Sequence, residues 1–182
     1  FDFTIRSIPD GATMREVLSY IASCQGEFGF IDRFGQYVRK WYGNPVKTID
    51  NNTIDVPTLS EKQNKIVGII CESDSQTFSL GDTSGATGRV LEFENPFMTE
   101  SLFKSLYHRI VTASSFTWYT AEVYQRLGDP RIDIGDVLLY EQESGELCNI
   151  PVTGLAMSFD GGLSANISAV GLSVEEQMEV IL

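Results

Sequence analysis

The stretch WYTAEVYQRLGDPRIDIGDVLLYEQESGELCNIPVTGLAMSFDGGLSANISAVG, residues 118–171, decides the fold class. Short apolar-rich runs alternate with turn residues, the pattern of antiparallel strands joined by turns. Trp118–Arg126 reads as a strand, and Gly128, Asp129 and Pro130 as a corner. Val137–Glu141 is a second strand, entered through Gly135 and Asp136. Glu143 to Glu146 is a hairpin turn. Leu147–Phe159 reads as one long strand, in which Pro151 belongs at an edge or bulge because proline cannot donate to a ladder. Asp160, Gly161 and Gly162 turn it into Leu163–Val170. The second half of the chain is therefore β-rich, and it holds almost no residue suited to chemistry.

Working outward, the first half mixes helix and strand. Phe1–Ile8 alternates as a strand. Thr13 and Glu16 have capping-box spacing, in which the threonine hydroxyl and the glutamate carboxylate satisfy each other's backbone N–H groups. Met14, Val17, Leu18 and Ile21 follow at helical spacing, which predicts an amphipathic helix over 14–23. Glu27–Ile31 and Gln36–Tyr42 read as a hairpin with Gly35 at its tip. Thr53–Val56 is a short strand. Pro57 to Gln63 is polar and reads as a linker, which places the domain boundary there: a small α+β subdomain over 1–57 and a β-barrel-like domain over 58–182. Lys65–Cys71, Gln76–Leu80 and Val90–Glu94 are strands. Thr99 caps a second amphipathic helix carrying Leu102, Phe103, Leu106, Tyr107 and Ile110, and reaching about Val111. Ser173 and Glu176 repeat the capping-box spacing, so the tail reads as a short helix. The expected class is α+β, mostly antiparallel β.

The bulk numbers exclude several functions. The chain has 182 residues and a net charge of −12, from 13 basic and 25 acidic side chains. That balance opposes a nucleic-acid groove, which needs cations facing phosphates. No apolar run approaches the ~20 residues of a membrane-spanning helix. The sequence starts at Phe1 without an initiator methionine, which reads as a piece of a longer polypeptide. Cys24, Cys71 and Cys148 are scattered among apolar neighbours, as expected of reduced, buried thiols in a reducing compartment.

Candidate chemistry is sparse. His108, the single histidine, has no companion nucleophile in a known motif, and one histidine with scattered cysteines makes no zinc site. Gly81 to Gly88 is rich in glycine, serine and threonine but lacks the lysine of a phosphate loop, and reads as a mobile loop between strands. Asp133 with Asp136, and Glu141 with Glu143, are the closest carboxylate pairs. They lie at turns, where aspartate is common for backbone reasons, and no cofactor or metal motif accompanies them. Phe34, Trp41, Tyr42, Trp118 and Tyr119 are the candidate interface aromatics, since exposed rings are typical anchor points. Gly35, Gly128, Asp129, Gly135, Asp136, Gly161 and Gly162 are expected to be structural turn residues.

Three segments together carry a resemblance. TMREVLSYIASCQGEFGFIDRFGQYVRKWY (13–42) resembles a helix-to-hairpin segment of phage and prophage tail proteins, with Asp32, Arg33, Phe34 and Gly35 at the hairpin tip. GDPRIDIGDVLLY (128–140) and GLAMSFDGGLSANISAVG (154–171) resemble later parts of the same proteins, in the same order. The family is the tail-hub, or baseplate-hub, group, which includes the N-terminal region of prophage tail-associated lysins. The resemblance implies a barrel-containing structural protein without catalytic residues in this region. It further implies a ring, usually a trimer, that joins the tail tube to the host-contacting device and leaves a channel for DNA. The partners would be further copies and other tail proteins. The place would be the virion tail, after synthesis in the bacterial cytoplasm. The residues alone leave two other readings open: a cell-wall hydrolase fragment using the paired carboxylates, and a carbohydrate- or receptor-binding β-module using exposed aromatics.

Overall fold

The computed structural model describes residues 5, 7–50, 52, 54–55, 57–74, 76–113 and 116–169. The elements in chain order are α1 (Met14–Cys24), β1 (Phe28–Ile31), β2 (Tyr37–Lys40), β3 (Lys47–Ile49), β4 (Thr58–Leu59), β5 (Ile66–Ser73), β6 (Gln76–Gly81), β7 (Arg89–Glu94), α2 (Glu100–Tyr107), β8 (Ala121–Gln125), β9 (Val137–Glu141), β10 (Leu147–Pro151), β11 (Gly154–Phe159) and β12 (Leu163–Ala169). The class is α+β with mainly antiparallel pairing. The parallel exceptions among the described residues are β3 with β9 and β5 with β7. The strand expected over Phe1–Ile8 and the helix expected in the tail fall wholly or mostly outside the described residues.

The chain divides into two compact units, each built from two separate stretches: Phe1–Trp41 with Ile66–Ser115, and Tyr42–Lys65 with Phe116–Leu182. In the first unit the Thr13–Glu16 capping box forms as the sequence predicts, with the Thr13 N–H donating to Glu16 at 2.6 Å. The β1–β2 hairpin is held to α1 by the Tyr37 hydroxyl, which donates to the Leu18 carbonyl at 2.8 Å. A three-stranded sheet in the order β6-β5-β7 lies against α2, where Phe78 stacks on Phe103 with centroids 5.5 Å apart. After Tyr107 the helix widens into a π-helical turn, His108–Ala113. Its Arg109 donates to the Gln25 carbonyl and pairs with Glu27.

Asn95, fully buried, ties α1 to the segment between β7 and α2. Its amide nitrogen reaches the Tyr20 carbonyl at 2.9 Å and the Ser23 hydroxyl at 2.8 Å. The same nitrogen approaches the Cys24 sulfur, while the Asn95 side-chain oxygen accepts from Phe97 N–H at 2.8 Å. A buried amide is stable only when its donors and acceptors are met, and here both ends are.

The second unit packs two sheets, β10-β9-β3 and β11-β12-β8-β4, around one core. Inward residues of both supply it: Ile49, Val123, Leu138, Ile150 and Ile167 are each at most 2% exposed. The arrangement is barrel-like, but the sheets do not close into a continuous barrel among the described residues. Two expectations need correction. Leu147–Phe159 is two strands, β10 and β11, which belong to different sheets and are separated at Val152 and Thr153. Val152 N–H bonds to the Asp136 carbonyl, and Thr153 N–H to the Ser168 carbonyl, so the chain changes partners within two residues. Secondly, the segment read as a linker contains β4, which pairs with β8. Only two residues pair, at the edge of the sheet, too few to show alternation in a polar stretch.

A candidate assembly surface

Each aromatic singled out in the sequence has a distinct setting. Phe34 stands at the tip of the β1–β2 hairpin and is 79% exposed. It is held there by its neighbours. The Asp32 carboxylate accepts from the N–H groups of Phe34 and Gln36, both at 2.9 Å, and Gly35 takes φ +75°, a conformation open mainly to glycine. A large apolar ring on a tip whose backbone is braced by these bonds is a candidate anchor. Trp41 lies just past β2, half-buried and edge-on to Phe28, with centroids 6.4 Å apart.

In the second unit Tyr42, Phe116 and Trp118 form a continuous stack, with successive centroids 5.7 and 5.8 Å apart. Trp118 is only 8% exposed and its backbone is bridged to Asn64, so most of its ring already serves this chain's own packing. Tyr119 is half-buried against the core, and its hydroxyl donates to Glu146 at 2.7 Å. That bond to a carboxylate, with some desolvation, pushes the phenol up to about 12. Tyr119 is thus a hydrogen-bond donor at any ordinary pH.

The turn residues also take identifiable roles. Gly135 and Gly161 have positive φ. A Cβ on Gly128 would lie 3.0 Å from the Leu163 side chain, and one on Gly162 would meet open space. The Asp136 carboxylate accepts from Asp133 N–H at 2.8 Å, and that of Asp133 from Ile134 N–H at 3.1 Å. Both carboxylates therefore brace the turn that leads into β9. Glu141 and Glu143 are exposed around the next hairpin. His108 is exposed at the C-terminal end of α2. The Gly81–Gly88 loop, expected to be mobile, is organised around Asp82, which accepts from the Ser84 and Thr87 hydroxyls. These bonds draw the Asp82 carboxyl down to about 2. Cys24, Cys71 and Cys148 are free and buried. Burial pushes Cys24 up to about 11 and Cys71 up to about 12, so both are thiols rather than thiolates at neutral pH.

Two features were not singled out in the sequence. The first is the far end of the β11–β12 hairpin. Met157 and Phe159 share a face of β11 with Leu155, and Phe159, paired with Leu163, is 81% exposed. Alternation along Leu155, Met157 and Phe159 was the available signal, masked by reading 147–159 as one strand. The second is an ion cluster at the Gly-Asp-Pro corner. Asp129 is buried, and its carboxylate accepts from Lys47 at 2.7 Å and from the Arg131 guanidinium at 2.8 and 3.0 Å.

This fold is similar to that of part of two known tail proteins. The chain superposes on the 43 kDa tail protein of prophage MuSo2 from Shewanella oneidensis with a TM-score of 0.54, at 19% identity, over 90% of this chain. It superposes on a tail protein from Neisseria meningitidis MC58 with a TM-score of 0.52, at 14% identity, over 89% of this chain. In each case it spans 56% of the other protein's length. No family model matches the chain, and no curated protein matches it. At these identities the likeness is one of fold. No helix among the described residues is long and apolar enough to cross a membrane.

Proposed function

We propose that this chain is a structural, non-catalytic part of a phage or prophage tail, and more specifically a subunit of the tail-tip or baseplate hub. Copies associate into a ring, a homotrimer, that joins the tail tube to the host-contacting device, in contact with other tail proteins. The observation that carries this reading is the likeness in fold to two tail proteins over about nine-tenths of the chain. It is supported by the ordered sequence resemblance of 13–42, 128–140 and 154–171, and by the way Asp133, Asp136 and Asp129 are committed to holding turns. The net charge of −12 fits a channel wall that does not retain DNA.

Sedimentation equilibrium across a wide concentration range tests the ring. A reversible monomer–trimer equilibrium is expected, weakened by Phe34→Ala without loss of the folded monomer. A chain that stays monomeric at the highest soluble concentration overturns the ring.

A further inference from the structure

We propose that Asp160–Gly161, at the end of the β11–β12 hairpin, is a site of spontaneous aspartate isomerisation, at which Asp160 becomes isoaspartate. The chemistry needs a carboxyl side chain free to move and a following backbone nitrogen unscreened by a side chain. The hairpin end supplies both. Asp160 is exposed, and its carboxylate has no hydrogen-bond or ion-pair partner among the described residues. The next two residues are Gly161 and Gly162, and a Cβ built on either would meet nothing within 4 Å.

The reaction balances without any co-reactant except water. The Gly161 backbone nitrogen gives up its proton and attacks Cγ of the protonated Asp160 carboxyl. The N–Cγ bond forms, the Cγ–OH bond breaks, and one water leaves, closing a five-membered succinimide. Water then adds to the Asp160 backbone carbonyl carbon, and the bond from that carbon to the Gly161 nitrogen breaks. The chain now runs through the former side chain, with the mass unchanged.

The other aspartates of this half of the molecule lack these conditions. Asp129 precedes Pro130, which has no N–H, and its carboxylate is held by Arg131 and Lys47. Asp133 and Asp136 precede the β-branched Ile134 and Val137, and both brace the turn before β9. Asp160 therefore stands apart from these three through its setting as well as its dipeptide. The added backbone methylene falls immediately beyond the Phe159–Leu163 pair, so isomerisation loosens the exposed apolar end of the hairpin.

Peptide mapping of the full folded chain, aged for weeks at mildly acidic pH and body temperature, reads this directly. The peptide holding Asp160 should split into two species of equal mass and different retention, with isoaspartate fragments assigned to position 160. Peptides holding Asp129, Asp133 and Asp136 should stay single. Asp10–Gly11, a second exposed Asp-Gly pair, is the internal comparison. A single species at 160, whether or not Asp10 has reacted, overturns the proposal, as does splitting at 160 no faster than at Asp133. Asp160→Glu, which would need a larger ring, should remove the second species. Its persistence in that variant also overturns the assignment.

Discussion

At the scale of single residues, the aspartate of the Gly-Asp-Pro corner shows how a turn signal can hide an electrostatic one. Sequence reading assigned Asp129 to chain reversal, and its backbone role is real: its carboxylate accepts Arg131 N–H at 3.0 Å. The same carboxylate also meets Lys47, which lies 82 residues away in sequence, a pairing no local pattern announces. Arg131 first, and then Lys47, hold the Asp129 carboxyl well below its ordinary value of 3.8. A depressed carboxyl stabilises the folded chain above the unfolded value and loses that contribution as pH falls through the folded one. The gain is therefore complete at neutral pH and drains away as the solution is acidified below 3.8. Urea unfolding of wild type and Asp129→Asn at a series of pH values should show a gap in stability that is constant near neutrality and shrinks in that acid range. A gap independent of pH down to strong acid would show that Asp129 acts only through its shape. Phe34 is the opposite case. Its exposed position was legible because Asp32 and Gly35, its own neighbours, make the turn.

At the scale of elements, local hairpins were legible and distant pairings were not. β1–β2, β5–β6 and β9–β10 join strands close in sequence, with turn residues between them. β3 was missed because three residues carry no measurable alternation, and its partner β9 lies some ninety residues on, as in the Lys47–Leu138 pairing. The break between β10 and β11 was missed because Ile150, Pro151 and Val152 continue an apolar run, while the change of sheet is imposed by partners elsewhere. The β5–β6 pair holds a constraint that periodicity cannot show. Gly68 faces Gly81, and a Cβ on Gly68 would lie 2.4 Å from the Asp82 carbonyl oxygen. That neighbour is backbone, pinned by Asp82 N–H bonding to the Val67 carbonyl at 3.0 Å, so it cannot swing aside. Gly68→Ala should cost about 2–3 kcal/mol in chemical denaturation, in the range of overpacked interiors. Gly162→Ala, which points into open space, should stay within about 0.5 kcal/mol of wild type. Equal effects at the two positions would mean that the β5–β6 turn yields easily.

At the scale of the whole molecule, the question is where the chain can be cut. A single boundary near residue 57 makes 58–182 a self-sufficient domain, and that remains a proposal with a direct test. Against it stands the composition of the second unit, which draws on 42–65 as well as on 116 onward. A chain starting at residue 58 would lack Ile49 and Ile54, each 1% exposed in the core. At roughly 1.5–3 kcal/mol for each buried aliphatic side chain, their loss alone removes about 3–6 kcal/mol. It would also leave one edge of β9 unpaired and take Lys47 from Asp129. A domain of ordinary stability holds only about 5–15 kcal/mol in total, so these losses are of the same order as the whole margin. The fragment 58–182 should therefore show no cooperative thermal transition under conditions in which the full chain melts sharply. A cooperative transition in the fragment, at a temperature near that of the full chain, would establish the boundary near 57 and make β3 dispensable. The outcome also bears on assembly. If β3 is required, the candidate interface aromatics Tyr42 and Trp118 belong to one folding unit through their stack on Phe116, and substitutions at either should alter stability together with any association.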